Sequence, residues 1–184
     1  MNDFEGRVAI ITGAARGLGR AAAERLHERG ASVAVNVRDR VRAESLAQSL
    51  GERAIAVPGD IAAPGVIEEI VRATVERFGR IDILVNNAAF ARSTRFPDLS
   101  AEEFREALEV NLTAPFLFTK AVLSVMKSQH YGRIVNISSS AGRTASTLGG
   151  ALFDADRRIR ARNLKLLSIE KRSGDIVWLR YKVR

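Results

Sequence analysis

Val8-Ala-Ile-Ile-Thr-Gly-Ala-Ala-Arg-Gly-Leu-Gly19 is the stretch on which the fold turns. Residues 8–12 are short, apolar and partly β-branched, which predicts a buried strand stopped at Gly13. From Gly17 the apolar positions take helical spacing, Leu18, Ala22 and Leu26, until Gly30, a residue type that ends helices. A strand that passes through glycines into a helix lets backbone come close to a phosphate group. The helix then offers that anion its free N–H groups and the positive end of its dipole. Glycine turns also occur as plain tight turns, so the weight of the pattern comes from its place at the start of a βα unit.

The same alternation continues outward. Residues 32–37, 54–57, 81–85 and 133–137 predict further strands, and 40–50 and 66–78 predict helices stopped by Gly51 and Gly79. Ser100 and Glu103 form a capping-box pattern that opens a long helical stretch toward Lys127. Along it Phe104, Leu108, Leu112 and Phe116 recur at four-residue steps, a stripe part of which is expected in the core. Strands apolar throughout and separated by helices call for a parallel sheet covered on both faces. The expectation is a doubly wound α/β domain over residues 1–150, with five strands.

Composition narrows the function. The 184 residues include no cysteine, which excludes a disulfide framework, thiolate catalysis and sulfur-ligated zinc. The histidines, His27 and His130, are far apart and read as surface residues, so no metal site is expected. The first residues are acidic and lack a signal peptide's apolar core, and no run approaches a membrane span. A cytoplasmic protein without a membrane partner is expected.

Residues 1–150 hold 19 basic and 17 acidic side chains, whereas residues 151–184 hold 10 basic and 4 acidic. Most of the +8 net charge therefore sits in the tail, and a surface built to coat nucleic acid is not what the sequence describes. The tail carries a weak helical pattern over 154–172 (Ile159, Leu164, Leu167). Over 178–184 an alternation of Leu179, Tyr181 and Val183 with Arg180, Lys182 and Arg184 suits a half-exposed strand. Its charge leaves open a nucleic-acid or acidic-membrane contact, against the plainer reading of a solvated segment.

The glycine spacing is Thr12-Gly13-x-x-x-Gly17-x-Gly19, and other motifs follow it in order. They are Gly59-Asp60-Ile61 after strand three, Asn86-Asn87-Ala88-Ala89 after strand four, Asn111 in the long helical stretch, and Ser139 after strand five. Together they resemble the short-chain dehydrogenase/reductase family, and within it the 3-oxoacyl-acyl-carrier-protein reductases. The resemblance covers about residues 7–150 and implies a Rossmann-type fold. It also implies hydride transfer between a nicotinamide cofactor and a carbonyl or alcohol, in this branch the reduction of a ketone. By resemblance, Gly13, Arg16, Gly17, Leu18, Gly19, Asp60, Ile61, Asn87 and Ala88 are the expected cofactor residues. Asp60 would contact the adenine, and Ala89 replaces the family's usual glycine.

Charge addresses which nicotinamide cofactor. NAD is usually selected by an acid at the end of strand two and NADP by arginine near the 2′-phosphate. Here that strand ends Asn36-Val37-Arg38, with no acid at 36 or 37, so NADP(H) is expected, held by Arg38 and Arg16.

For catalysis the resemblance implies that Ser139 orients the substrate oxygen and that Asn111 steadies a water in the proton relay. The family's proton donor is a tyrosine in Tyr-x-x-x-Lys. Leu152 or Phe153 stands at the tyrosine's place and Arg157 at the lysine's, and a phenyl ring has no proton to give. The expectation is an impaired reductase or, alternatively, a non-catalytic dinucleotide-binding remnant. Residues 151–184 then read as a basic tail outside the family pattern, from a shifted frame or an early truncation, leaving strand five an open edge unless the tail covers it. The family's homo-oligomers use a helix like 100–127, but the partner helix that follows Tyr-x-x-x-Lys is not recognisable here. Substrate identity is not readable.

Overall fold

A computed structural model describes residues 3–91, 94–138, 164–172 and 176–183. Five strands, β1 (Val8–Ile11), β2 (Ser32–Val35), β3 (Ala54–Ala56), β4 (Ile83–Asn86) and β5 (Arg133–Asn136), form a parallel sheet in the order β3-β2-β1-β4-β5. Helices α1 (Gly17–Glu28), α2 (Arg40–Leu50) and α3 (Val66–Phe78) connect the first four strands. Strand order reverses at β1, so the crevice beyond its C-terminal end, between β2 and β4, is where such sheets bind ligands. This is the expected doubly wound α/β architecture.

Successive strand residues point to opposite faces, and the core divides accordingly. Ala9, Ile11, Val33 and Val35 pack with Ala23, Ala43 and Leu46 from α1 and α2. Ile10, Ala34 and Leu84 pack on the other face with Ile67 and Ile70 of α3 and with Phe118, Val122 and Met126. Both layers are apolar because neither face of the sheet meets water.

The long helical stretch is not one regular helix. α4 (Ala101–Leu108) opens with the Ser100 hydroxyl accepting from the Glu103 N–H at 3.1 Å, as the capping pattern predicts. A π-helical turn over Glu109–Thr113 then joins it to α5 (Ala114–Ser128). The turn shifts the buried face, so that Ala114, Phe118, Val122 and Met126 enter the core. This corrects the predicted stripe: Phe104 and Leu108 are half-buried, while Leu112 and Phe116 are 48% and 64% exposed. By length and composition alone the 28 residues Ala101–Ser128 would pass as a membrane span. Their helix packs on the sheet through the four buried positions of α5.

Two antiparallel strands extend the sheet, β6 (Leu164–Arg172) and β7 (Ile176–Val183). β7 lies against β5 with Ile134 opposite Tyr181, so the open edge expected at strand five is covered. The predicted helix over 154–172 is corrected for its second half, where Leu164–Arg172 is a strand; residues 154–163 lie outside the described residues. A β-ladder to β7 overrides the weak helical spacing there.

Candidate functional site

A groove of about 560 Å³ opens at the C-terminal ends of β1, β2 and β4. Its floor is built from neutral hydrogen bonds. The buried Thr12 hydroxyl accepts from the backbone N–H groups of Asn87 and Ala88, each at 2.9 Å, which ties the end of β1 to the loop after β4. The Asn87 amide donates back to the carbonyls of Thr12 (2.9 Å) and Gly13 (3.2 Å).

The glycines of the turn have separate reasons. Gly13 has φ +65°, and a Cβ there would lie 2.8 Å from the Ala88 Cα, so a side chain is excluded by both conformation and space. A Cβ on Gly19 would collide with the Asn87 side chain and the Gly13 carbonyl, so this glycine serves close packing behind the groove. Gly17 (φ +56°) lines the groove with nothing within 4 Å of where its Cβ would stand. α1 starts there, with Arg16 as its N-cap residue, no side-chain cap and no acid in its first turn. Its leading N–H groups are open to an anion. This turn fits a dinucleotide's pyrophosphate: bare backbone, free donors and open space coincide.

At the end of β2 the buried Asn36 donates from its side-chain amide to the carbonyls of Val57 (2.9 Å) and Gly59 (3.1 Å), and its backbone carbonyl accepts from the Ala14 N–H (3.0 Å). It thereby joins β2, the residues after β3 and the glycine turn. Arg38 follows, exposed, with its guanidinium 3.9 Å from the Asp60 carboxylate. The other Asp60 oxygen accepts from the Ala62 N–H at 3.0 Å, and Ile61 beside it is buried. Asp39 caps α2 by accepting from the Arg42 N–H at 2.8 Å.

Of the predicted residues, Gly13, Arg16, Gly17, Arg38, Asp60, Ile61, Asn87 and Ala88 share this groove. Gly19 stands behind it, and Leu18, half-buried in α1, does not line it. Asn111 lies in the π-helical turn, where its side chain accepts from the Phe90 N–H and donates to the Phe90 carbonyl, both at 2.8 Å. It clamps the loop after β4, with Phe90 and Val110 at the groove's edge. Ser139, Leu152, Phe153 and Arg157 lie outside the described residues. Among the described residues no group of three metal-ligating side chains comes together.

Thr12 and Asn36, which stand in the quoted motifs but not among the expected site residues, build the groove, and Arg42, which no motif singled out, lines it. Asn36 carried a signal, an amide at the end of an otherwise apolar strand. The predicted surface position of His27 is also corrected. It is half-buried with an enclosed Nε2 that has no hydrogen-bond partner among the described residues, and burial, with Arg53 nearby, pushes its pKa down against the opposing pull of Glu28. His130 is exposed, in a left-handed turn (φ 54°).

A family model described as short chain dehydrogenase matches residues 7–151. An uncharacterized oxidoreductase of Thermotoga maritima is 43% identical over 143 residues, covering 76% of this chain and 56% of that protein. The 3-oxoacyl-acyl-carrier-protein reductase FabG of Vibrio cholerae is 38% identical over 149 residues, covering 81% and 59%. The enzyme of that name from Escherichia coli is 36% identical over 140 residues, covering 76% and 57%. The chain thus spans a little under three fifths of the length of these curated relatives.

Proposed function

The chain belongs to the short-chain dehydrogenase family, and from that premise we propose that it binds NADP(H) in the groove at the ends of β1, β2 and β4. The activity we assign to its lineage is the reduction of a ketone, of the 3-oxoacyl kind, to a secondary alcohol. One observation supports the cofactor reading above the others. The glycine turn, Asn87 and Asp60 share a groove whose β2 side ends in a neutral, hydrogen-bonded Asn36, with no acid at 36 or 37, and is lined beyond it by Arg38 and Arg42 together with Asp39. A carboxylate at 36 or 37 would repel a 2′-phosphate; guanidinium groups attract one and match its geometry.

The cofactor, when bound, supplies the hydride. The chain's own residues supply the rest that can be named. The first turn of α1 offers N–H groups to the pyrophosphate, and Asn87 and Thr12 fix the loop along which the nicotinamide half would lie. Asn111 holds that loop from the other side. Ser139 is the residue we assign to the substrate oxygen.

The sequence itself supports a second reading, binding without turnover, because Phe153 and Arg157 stand at the places of the family's tyrosine and lysine. Loss of a general acid costs on the order of 10²–10⁴ in rate. Titrating the 184-residue chain into NADPH and following cofactor fluorescence separates the outcomes. A saturable shift without acetoacetyl-CoA-dependent NADPH consumption is expected. The absence of any shift would reject cofactor binding, and rapid consumption would reject impairment.

A further inference from the structure

Independently of the cofactor groove, we propose that one face of the sheet across β5, β7 and β6 is a docking surface for single-stranded nucleic acid. Its cationic positions are Arg133, Lys165, Arg172, Arg180 and Lys182, with Trp178 among them.

The face exists only through strand pairing. Arg133 of β5 stands opposite Lys182 of β7, and Lys182 opposite Lys165 of β6. Two residues along, Val135, Arg180 and Ser168 are abreast; then come Trp178 opposite Glu170 and Ile176 opposite Arg172. Residues abreast, and residues two apart on one strand, share a face of a sheet. The irregularity between Leu166 and Ser168 inserts one residue and so brings Lys165 and Ser168 to the same face. Five cations thus share a face with one acid, Glu170. The intervening positions are apolar with few exceptions: Ile134, Tyr181 and Leu166 abreast, then Leu179 opposite Ile169. Ile134 is buried there in the core with Phe118 and Met126. An antiparallel sheet with one apolar face and one polar face is built to meet water on the second. No segment of the sequence is basic throughout, so this face becomes visible only once β7 is paired with β5.

Like charges directly opposite one another destabilise a sheet, and Arg133, Lys182 and Lys165 are three abreast. Arg133 has no acidic partner among the described residues. Its guanidinium donates to the Gly132 carbonyl at 2.8 Å and lies 4.6 Å from the centroid of the Tyr131 ring. The sequence offers no acid nearby along the chain either, since none occurs between Glu109 and Asp154. A polyanion relieves this repulsion.

Geometry selects the kind of polyanion. Neighbouring strands are about 4.8 Å apart and residues two apart on a strand about 7 Å, so the cations form a flat strip. β7 is paired on both sides, so the hairpin is not a free ribbon able to enter a duplex's major groove. Single strands are held by positive charge along the backbone together with an aromatic residue on which a base stacks, and Trp178 shares the face. A membrane surface asks for a broad apolar face beside the charges. The exposed large apolar side chains among the described residues, Val41, Leu112 and Phe116, belong to α2, the π-helical turn and α5.

The test follows the fluorescence anisotropy of a labelled oligothymidylate titrated with the 184-residue chain at several salt concentrations. With all five cations engaged, log K should fall against log salt with a slope of about −3.5, at roughly −0.7 for each phosphate neutralised on a single strand. Arg180→Gln with Lys182→Gln should make that slope shallower by about 1.4, and so should Lys165→Gln with Arg172→Gln on the edge strand. Trp178→Leu should weaken binding about fivefold or more and leave the slope unchanged, because stacking carries no charge. Arg72→Gln with Arg105→Gln removes the same charge from α3 and α4 and should leave the slope as it is. A slope that this last pair lowers as much as the others would show attraction to net charge alone and overturn the proposal. A wild type that leaves oligothymidylate unbound overturns it too, and sedimentation with phosphatidylserine vesicles in that case would assign the face to lipid.

Discussion

The two ends of the parallel sheet handle charge in opposite ways. At the N-terminal end, Asp82 is fully buried and accepts from Arg7 at 2.8 Å, from Arg80 through two contacts of 2.7 Å, and from the Val8 N–H at 3.0 Å. Arg7 and Arg133 stack on the Tyr131 ring, 3.8 and 4.6 Å from its centroid. The Asp82 carboxylate is thus met by two guanidinium groups from within the chain. At the C-terminal end, neutral groups such as Thr12, Asn36 and Asn87 do the joining, and the arginines stand on the rim with their charge largely unspent. The contrast teaches where to look for a ligand: charge matched internally holds strands together, and charge left unmatched beside bare backbone awaits a counterion.

The largest expected effect comes from breaking the matched end. Asp82→Asn keeps the volume but removes the charge that two guanidinium groups share. It should cost about 2–3 kcal/mol in urea unfolding. The figure is at the low end for a buried pair because Arg7 and Arg80 are 34% and 39% exposed and can turn to water. Burial alone would raise the Asp82 pKa, but the hydrogen bonds from Arg80, Arg7 and the Val8 N–H outweigh it and hold the carboxyl below its usual range. A depressed folded-state pKa stabilises above the unfolded-state value, and the contribution is lost as pH falls through the folded one. The wild type should therefore lose stability in acid more steeply than Asp82→Asn, and the two curves should converge below the ordinary carboxylate range. Parallel curves would show that Asp82 is not the charge that matters there.

The neutral end should respond differently to the same treatment. Thr12→Val removes the acceptor for two backbone N–H groups at once and should cost about 1–2 kcal/mol. That loss should be the same at pH 4 and pH 8 and in low or high salt, because no ionised group takes part. A cost that changed with salt would mean that the rim arginines already help hold the groove together without a ligand.

This division explains what the sequence made legible. Apolar runs and glycine stops located the five parallel strands, since burial on both faces leaves an unbroken pattern. The glycine motif located the groove because backbone conformation at Gly13 and Gly17 admits almost nothing else. The π-helical turn at Glu109–Thr113 was not legible. Helical spacing runs through it, and only the packing of Ala114 and Phe118 shows that the face has shifted. The strand at Leu164–Arg172 was missed because its ladder to β7 is non-local, and the weak helical spacing of Ile159, Leu164 and Leu167 says nothing of it. The pairing of Arg38 with Asp60 joins residues from separate loops, which spacing along the chain cannot reveal.

The smallest effect is the sharpest test of the contrast, because it predicts almost nothing. Arg38 and Asp60 are 74% and 44% exposed at the side chain and 3.9 Å apart, so their attraction is screened by water and offset by the entropy of holding a long side chain. Arg38→Gln should change unfolding stability by less than about 0.5 kcal/mol in either direction. An arginine with no structural duty beside an open groove is then free to serve a ligand. If the same substitution cost more than about 1 kcal/mol, well above an ordinary exposed pair, Arg38 would belong with Arg7 and Arg80. It would be a matched charge, and the unmatched positive character of the rim would rest on Arg16 and Arg42 alone.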